Sequence, residues 1–127
     1  MKKRLTSVLI ALVVLLALAQ VPSASASGVV SASIVWYRLY LNQNSTYAQL
    51  YNQSLECGVD NETLKLAEEL YANATEEFNK ALDYGNPQNP RSILWVPFMR
   101  HIRKAYINII KANELLKESL EKRKCSP

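Results

Sequence analysis

Glycine is scarce in this chain, with three residues in 127. They stand far apart, so no glycine-rich loop is available to cradle a phosphate or a dinucleotide. Histidine occurs once, as His101 between Arg100 and Ile102, with no serine–acid arrangement beside it. Two cysteines and one histidine fall short of the four ligands a structural zinc site usually takes. Adjacent carboxylates do occur, Glu68-Glu69 and Glu76-Glu77, but neighbours on a helix point about 100° apart and do not converge on one substrate. Runs of alternating Val, Thr and Tyr between tight turns are missing, so there is no strand signal. The chain is therefore read as non-enzymatic, with no cofactor and no metal.

The N-terminus carries the one long apolar run. Met1-Lys2-Lys3-Arg4 is followed by uninterrupted apolar sequence from Val8 to Ala19, then Pro22 and the small-residue tract Ser23-Ala24-Ser25-Ala26-Ser27. A basic start, a short apolar stretch and a small-x-small site are the parts of a secretory signal. The apolar stretch is shorter than the roughly 20 residues a membrane span takes. The expectation is a signal peptide over residues 1–26, cleaved near Ala26, and one small domain over 27–127. No comparable run follows. The longest, Ile93 to Met99, is broken by Pro97. The mature protein is thus expected to be secreted or at the cell surface, with no membrane span.

Two features fit that compartment. Asn44-Ser45-Thr46, Asn52-Gln53-Ser54, Asn61-Glu62-Thr63 and Asn73-Ala74-Thr75 are all N-glycosylation sequons. All four precede the last third of the chain, so sugar at Asn44, Asn52, Asn61 and Asn73 would leave that last third bare. Cys57 and Cys125, an even count in an exported chain, predict one disulfide. Such a bridge would close a long loop and contribute about 4 kcal/mol.

Helical spacing dominates the remainder. The expected helices are about 29–56, 61–84 and 96–122. In the first, Val30, Ile34, Tyr37, Leu41, Ala48, Tyr51 and Leu55 follow three-and-four spacing. Asn44 falls on that stripe, where a buried side chain and a glycosylated one conflict. Either the helix bends there or the stripe rotates toward Tyr40, Tyr47 and Leu50. Gly58 is expected to end this helix and Asp60 to cap the next. The second core stripe is Leu64, Ala67, Tyr71, Ala74, Phe78 and Ala81. Gly85 stops it ahead of the proline-flanked loop. Pro97 fits only a first turn, so the third helix begins near Val96, with core Phe98, Ile102, Ala105, Ile109, Ala112 and Leu116. Short loops make neighbours antiparallel. An up-down-up three-helix bundle then puts Cys57 and Cys125 at one pole, which agrees with the disulfide.

Charge is unevenly spread. Residues 27–90 carry three cations against eight acids, and residues 91–127 carry nine cations against three acids. One explanation is internal neutralisation, an acidic part packed on a basic one. Another is an anionic partner for the third helix. Arg100, Arg103, Lys104 and Lys111 fall within about 100° on that helix, with Ile107 among them. Glu114 and Glu118 continue the stripe with opposite sign, which argues against nucleic acid. Trp95, beside Pro97, is a further contact candidate, since tryptophan dominates binding hot spots. The expected role is binding, to a protein partner or a cell-envelope component. The alternative is a small ligand or an anionic polymer or lipid, held by the aromatic first helix or the basic third.

Overall fold

The computed structural model describes residues 26–89 and 93–125. The expected signal segment therefore lies outside the described residues, as does Ser92. Among the described residues three helices make up the fold: α1 (Ala26–Cys57), α2 (Asn61–Asp83) and α3 (Trp95–Lys122). They form the expected all-α, up-down-up bundle, and a disulfide joins Cys57 to Cys125 with 6.2 Å between their Cα atoms. No described helix is long and apolar enough to cross a membrane.

The ends of the helices are written locally. Gly58 takes a left-handed backbone at φ 74°. Its N–H bonds the Leu55 carbonyl, and the Val59 N–H reaches back to Ser54, the six-to-one closure of a Schellman motif. Val59 is buried against the core. Asp60 then caps α2 by accepting from the Thr63 N–H at 3.1 Å, as its residue type and place predict. The Asp60 carboxyl is held below its usual range, chiefly by hydrogen bonds from the Thr63 hydroxyl and N–H. Gly85, with φ 140°, runs so close to Ile93 that a Cβ would sit 2.9 Å from the Ile93 Cα. Asn86 to Asn89 close a turn in which the Asn86 side chain accepts from the Gln88 N–H. Pro97 occupies the third position of α3, inside its first turn. At the far end the same Schellman closure recurs, with Lys124 left-handed at φ 55° and the Cys125 N–H on the Leu120 carbonyl. That turn delivers Cys125 to Cys57.

The stripes of α2 and α3 are buried as spacing predicts. Ala67, Ala74 and Ala81 recur every seven residues on α2, and Phe98, Ile102, Ala105, Ile109, Ala112 and Leu116 line α3; all are fully buried. The first stripe is corrected. Helix α1 is continuous through Asn44, and its buried positions are Ser33, Tyr40, Tyr47, Leu50 and Ser54, while Leu41 and Leu55 are exposed. The reason is size. Tyr40 stacks on Phe78 at 4.5 Å and Tyr47 on Tyr71 at 4.2 Å, and a buried aromatic ring removes far more apolar area from water than Ala48 could. The rotation leaves Asn44 half-buried and Ala48 exposed. Ser33 and Ser54 fit the seam because each hydroxyl donates to a carbonyl four residues back, Val29 and Leu50.

One polar contact sits between α1 and α3. Buried Asn113 donates from Nδ2 to the Gln43 carbonyl at 3.0 Å and to Gln43 Oε1 at 2.8 Å. A polar residue at a core position fixes the register of two packed helices, since any slip leaves it unpaired.

Candidate functional site

Three groups of chemistry-bearing side chains stand out: the tyrosine seam, the His101 pair and the outward face of α3.

The seam between α1 and α2 holds Tyr37, Tyr40, Tyr47, Tyr51, Tyr71 and Phe78. Tyr51 donates its hydroxyl to Glu68 Oε1. Burial pushes the Tyr47 hydroxyl up to about 12, helped by Tyr51, Glu68 and Tyr71. Burial likewise raises Tyr40. The rings stack directly on one another, with Tyr47 and Tyr71 within 6° of parallel. They occupy the seam themselves, which is what a core of aromatic pairs does.

His101 projects from α3 toward α2, where its Nδ1–H donates to Glu77 Oε2 at 2.7 Å. Tyr84 stacks on the imidazole at 5.6 Å, and Lys80 lies 3.8 Å from the other Glu77 oxygen. The His101 hydrogen bond holds the Glu77 carboxyl below its ordinary 4.5, with Lys80 and Lys104 adding to the pull and burial opposing it. Sequence spacing gives no sign of this pair, because the partners are 24 residues apart. It supplies a histidine and an acid, but among the described residues no serine, threonine or cysteine hydrogen-bonds the ring. A nucleophile aligned on the base is what acyl-transfer chemistry needs. No group of three or more His, Cys, Asp or Glu among the described residues is arranged to hold a metal.

The face of α3 opposite its core stripe is the third. Arg100, Arg103, Lys104, Ile107, Lys111, Glu114 and Glu118 are all exposed along it. A shallow groove of about 330 Å³ is lined by Val96, Met99, Arg100, Arg103, Lys104 and Ile107. Four of the six sequence candidates therefore come together. Lys111 continues the same face beyond the groove. Trp95 sits differently: it meets Phe98 edge-on at 5.9 Å and packs on the core. The exposed apolar residues there are its neighbours Leu94 and Val96. Val96 was legible as an apolar partner of Ile107, since eleven residues are three helical turns. Arg103 also lies 5.7 Å over the Trp36 ring, which itself meets Tyr106 edge-on. That cation–π contact ties the groove to α1.

Internal neutralisation is partial. Among the described residues, no lysine or arginine of α3 forms an ion pair with an acid of α1 or α2. The link across is His101–Glu77. Arg103 lies over the Trp36 ring of α1 and Lys104 helps hold the Glu77 carboxyl of α2 low, so the bundle engages these cations without a salt bridge.

Fold and site together define a small disulfide-tied helical bundle with one mixed apolar and cationic face. The chain is similar to pyrolysin of Pyrococcus furiosus, 37% identical over 86 residues, a stretch that covers 68% of this chain and 6% of pyrolysin. The chain thus spans a small fraction of the length of the relative it matches. No protein-family model and no solved structure matches it.

Proposed function

We propose that this protein is an exported, N-glycosylated helical module that acts by binding, and that its working surface is the outward face of α3. The observation that carries this reading is the composition of that face. Val96 and Ile107 are 55% and 44% exposed, and they stand among Arg100, Arg103 and Lys104 on the side away from the core. Large exposed apolar groups beside exposed cations are what a partner can cover.

The sequons support the same geometry. Asn52, Asn61 and Asn73 are exposed and Asn44 is half-buried, all on α1 and α2. Sugar on those helices would leave α3 open. Ser54 is fully buried and hydrogen-bonded, and the Thr75 hydroxyl is buried. A transferase that reads the Asn-x-Ser/Thr hydroxyl would have to act on Asn52 and Asn73 before the helices form. The signal-like N-terminus and the disulfide support an extracytoplasmic site.

A second reading, an anionic polymer or lipid held by the cations, is favoured by Arg100, Arg103 and Lys104 lying together. Glu114 and Glu118 on the same face weigh against it, because they repel the same anion. We read the His101–Glu77 pair as a structural link between α2 and α3, so the protein is taken as non-enzymatic.

Native mass spectrometry of the protein recovered from its own host, without reductant, is the test. The expected result is a chain lacking its first 26 residues, carrying glycans and bound to a second polypeptide copy or partner, with Ile107→Asp releasing that partner. A sugar-free, unprocessed monomer would overturn the reading.

A further inference from the structure

The outward face of α3 is polarised along its length. Arg100, Arg103 and Lys104 occupy the first half and Glu114 and Glu118 the second, with Lys111 between them and Lys122 beyond. All are exposed, and none of the ion pairs among the described residues engages them. Within the helix this arrangement is unfavourable. Arg100 with Lys104, and Glu114 with Glu118, are like charges four residues apart, which destabilise a helix. Bases toward the N-terminus are also the reverse of what the helix dipole favours, while Lys122 in the last turn follows it. Helix stability therefore does not account for the cationic first half, and the fold uses it only in part, through Arg103 over Trp36 and Lys104 near Glu77.

An antiparallel copy of the same helix does account for it. We propose that this face docks on the same face of a second copy of the chain about a two-fold axis. One register brings Arg100 against Glu118 of the other copy and Lys104 against Glu114, and the two-fold repeats both pairs. The same register places Ile107 two residues from the axis, so the two Ile107 side chains come within about 6 Å along the helices. Lys111 then lies over the opposite Ile107, with its aliphatic stem on the apolar centre. The result is an apolar middle flanked by complementary charge, the anatomy of a specific interface. A two-fold contact needs such a self-complementary patch, and a polarised stripe is the simplest one.

The size sets the strength. Helix α3 has 28 residues. At about 1.5 Å each, a strip roughly 10 Å wide covered on both copies comes to about 800 Å², below the roughly 1,200 Å² of stable interfaces and in the range of weak, transient ones. A reversible dimer follows, strengthened by low salt because exposed pairs are screened. The four sequons sit on α1 and α2, so sugar there would not stand in the way.

This inference deepens the binding reading and rests on it. The test is sedimentation of the host-recovered protein up to about 100 µM, a range that reveals contacts of this size. Wild type should dimerise, less so as salt rises. Glu114→Lys with Glu118→Lys makes the face all cationic, and Arg100→Glu with Lys104→Glu reverses both pairing cations while leaving Arg103 and Lys111 in place. Each double variant should be monomeric alone, and an equimolar mixture should regain the dimer. The positions are exposed, and far-UV circular dichroism checks that each variant stays folded. Wild type that sediments as a monomer throughout, or variants that dimerise unchanged, would overturn self-docking. If the monomer carries a different polypeptide that Ile107→Asp releases, self-docking fails while the binding reading stands. If it carries nothing, both fail.

Discussion

The two seams that flank α2 are built from opposite materials. Toward α1, α2 presents Tyr71 and Phe78, which meet Tyr47, Tyr37 and Tyr40 ring to ring. Toward the rest of the core it presents Ala67, Ala74 and Ala81, and α3 brings Ala105 and Ala112, all fully buried. The consequence is geometric. Small side chains let the α2 and α3 backbones run close together, whereas the rings hold α1 and α2 apart and fill the space between them. Interhelical distance follows the side chains at the contact. The lesson is that one helix can use a single heptad pattern to set two spacings, large residues on one flank and alanine on the other.

Breaking the wide seam should have the largest effect. Tyr47→Ala removes a ring that is 7% exposed and stacked on two others. Truncating a buried aromatic costs about 3–5 kcal/mol, to be read from chemical denaturation. The same seam should weaken in alkali. The Tyr47 hydroxyl is pushed up from 10.0 to about 12, so above pH 10 the unfolded chain loses its proton first. Stability contributed by the neutral phenol is present below pH 10 and lost as pH rises toward 12, on the order of 2 kcal/mol. Tyr47→Phe keeps the ring and should flatten that part of the alkaline slope. An unchanged slope would show that Tyr47 is not the titrating group.

The close seam should resist the opposite change. Ala74→Leu adds bulk where α2 and α3 have no room, and overpacking of this kind costs about 1–3 kcal/mol. The same Ala→Leu change at exposed Ala72 should move the melting temperature by no more than about 2–4 °C, since surface changes stay within about 0.5 kcal/mol. If Ala74→Leu proves as mild as Ala72→Leu, the seam is not close-packed and the contrast between the two flanks is lost.

How much of this was legible varies by helix. The stripes of α2 and α3 read directly from sequence, because their apolar residues keep one heptad phase and the competing faces are charged. Helix α1 offers two overlapping stripes. Val30, Ile34, Leu41 and Leu55 look the more hydrophobic, but the buried set includes Ser33 and Ser54, whose polarity hides the phase. Only the partner rings on α2 decide between them, and that is tertiary information. The cationic face was legible as an angular cluster; its groove was not, because Met99 reads as a core residue at the edge of the stripe. Trp95 looked exposed beside Pro97, yet the first turn of α3 turns it onto Phe98. The His101–Glu77 contact leaves no trace in spacing, since it depends on the pairing of two helices.

That contact gives the smallest of the predicted effects and the sharpest contrast in pH. The wide seam fails in alkali through a phenol. The close seam is bridged by a carboxylate and should fail in acid. Glu77 is held below its ordinary 4.5 chiefly by the hydrogen bond from His101. A depressed carboxyl contributes stability that is present above the unfolded value and is lost as pH falls through the folded one, so the loss should begin near pH 4.5 and deepen below it. Glu77→Gln keeps the shape but removes the charge that the His101 Nδ1–H donates to. It should lower stability by about 1 kcal/mol at neutral pH, the ordinary worth of one such hydrogen bond. As pH falls through the depressed folded value the variant and the wild type should converge, because the wild-type carboxyl is then neutral as well. Thermal melts at pH 7 and at the acid end of that fall separate the possibilities. A constant offset at both values would mean that Glu77 matters for packing alone, and that acid sensitivity arises elsewhere in the bundle.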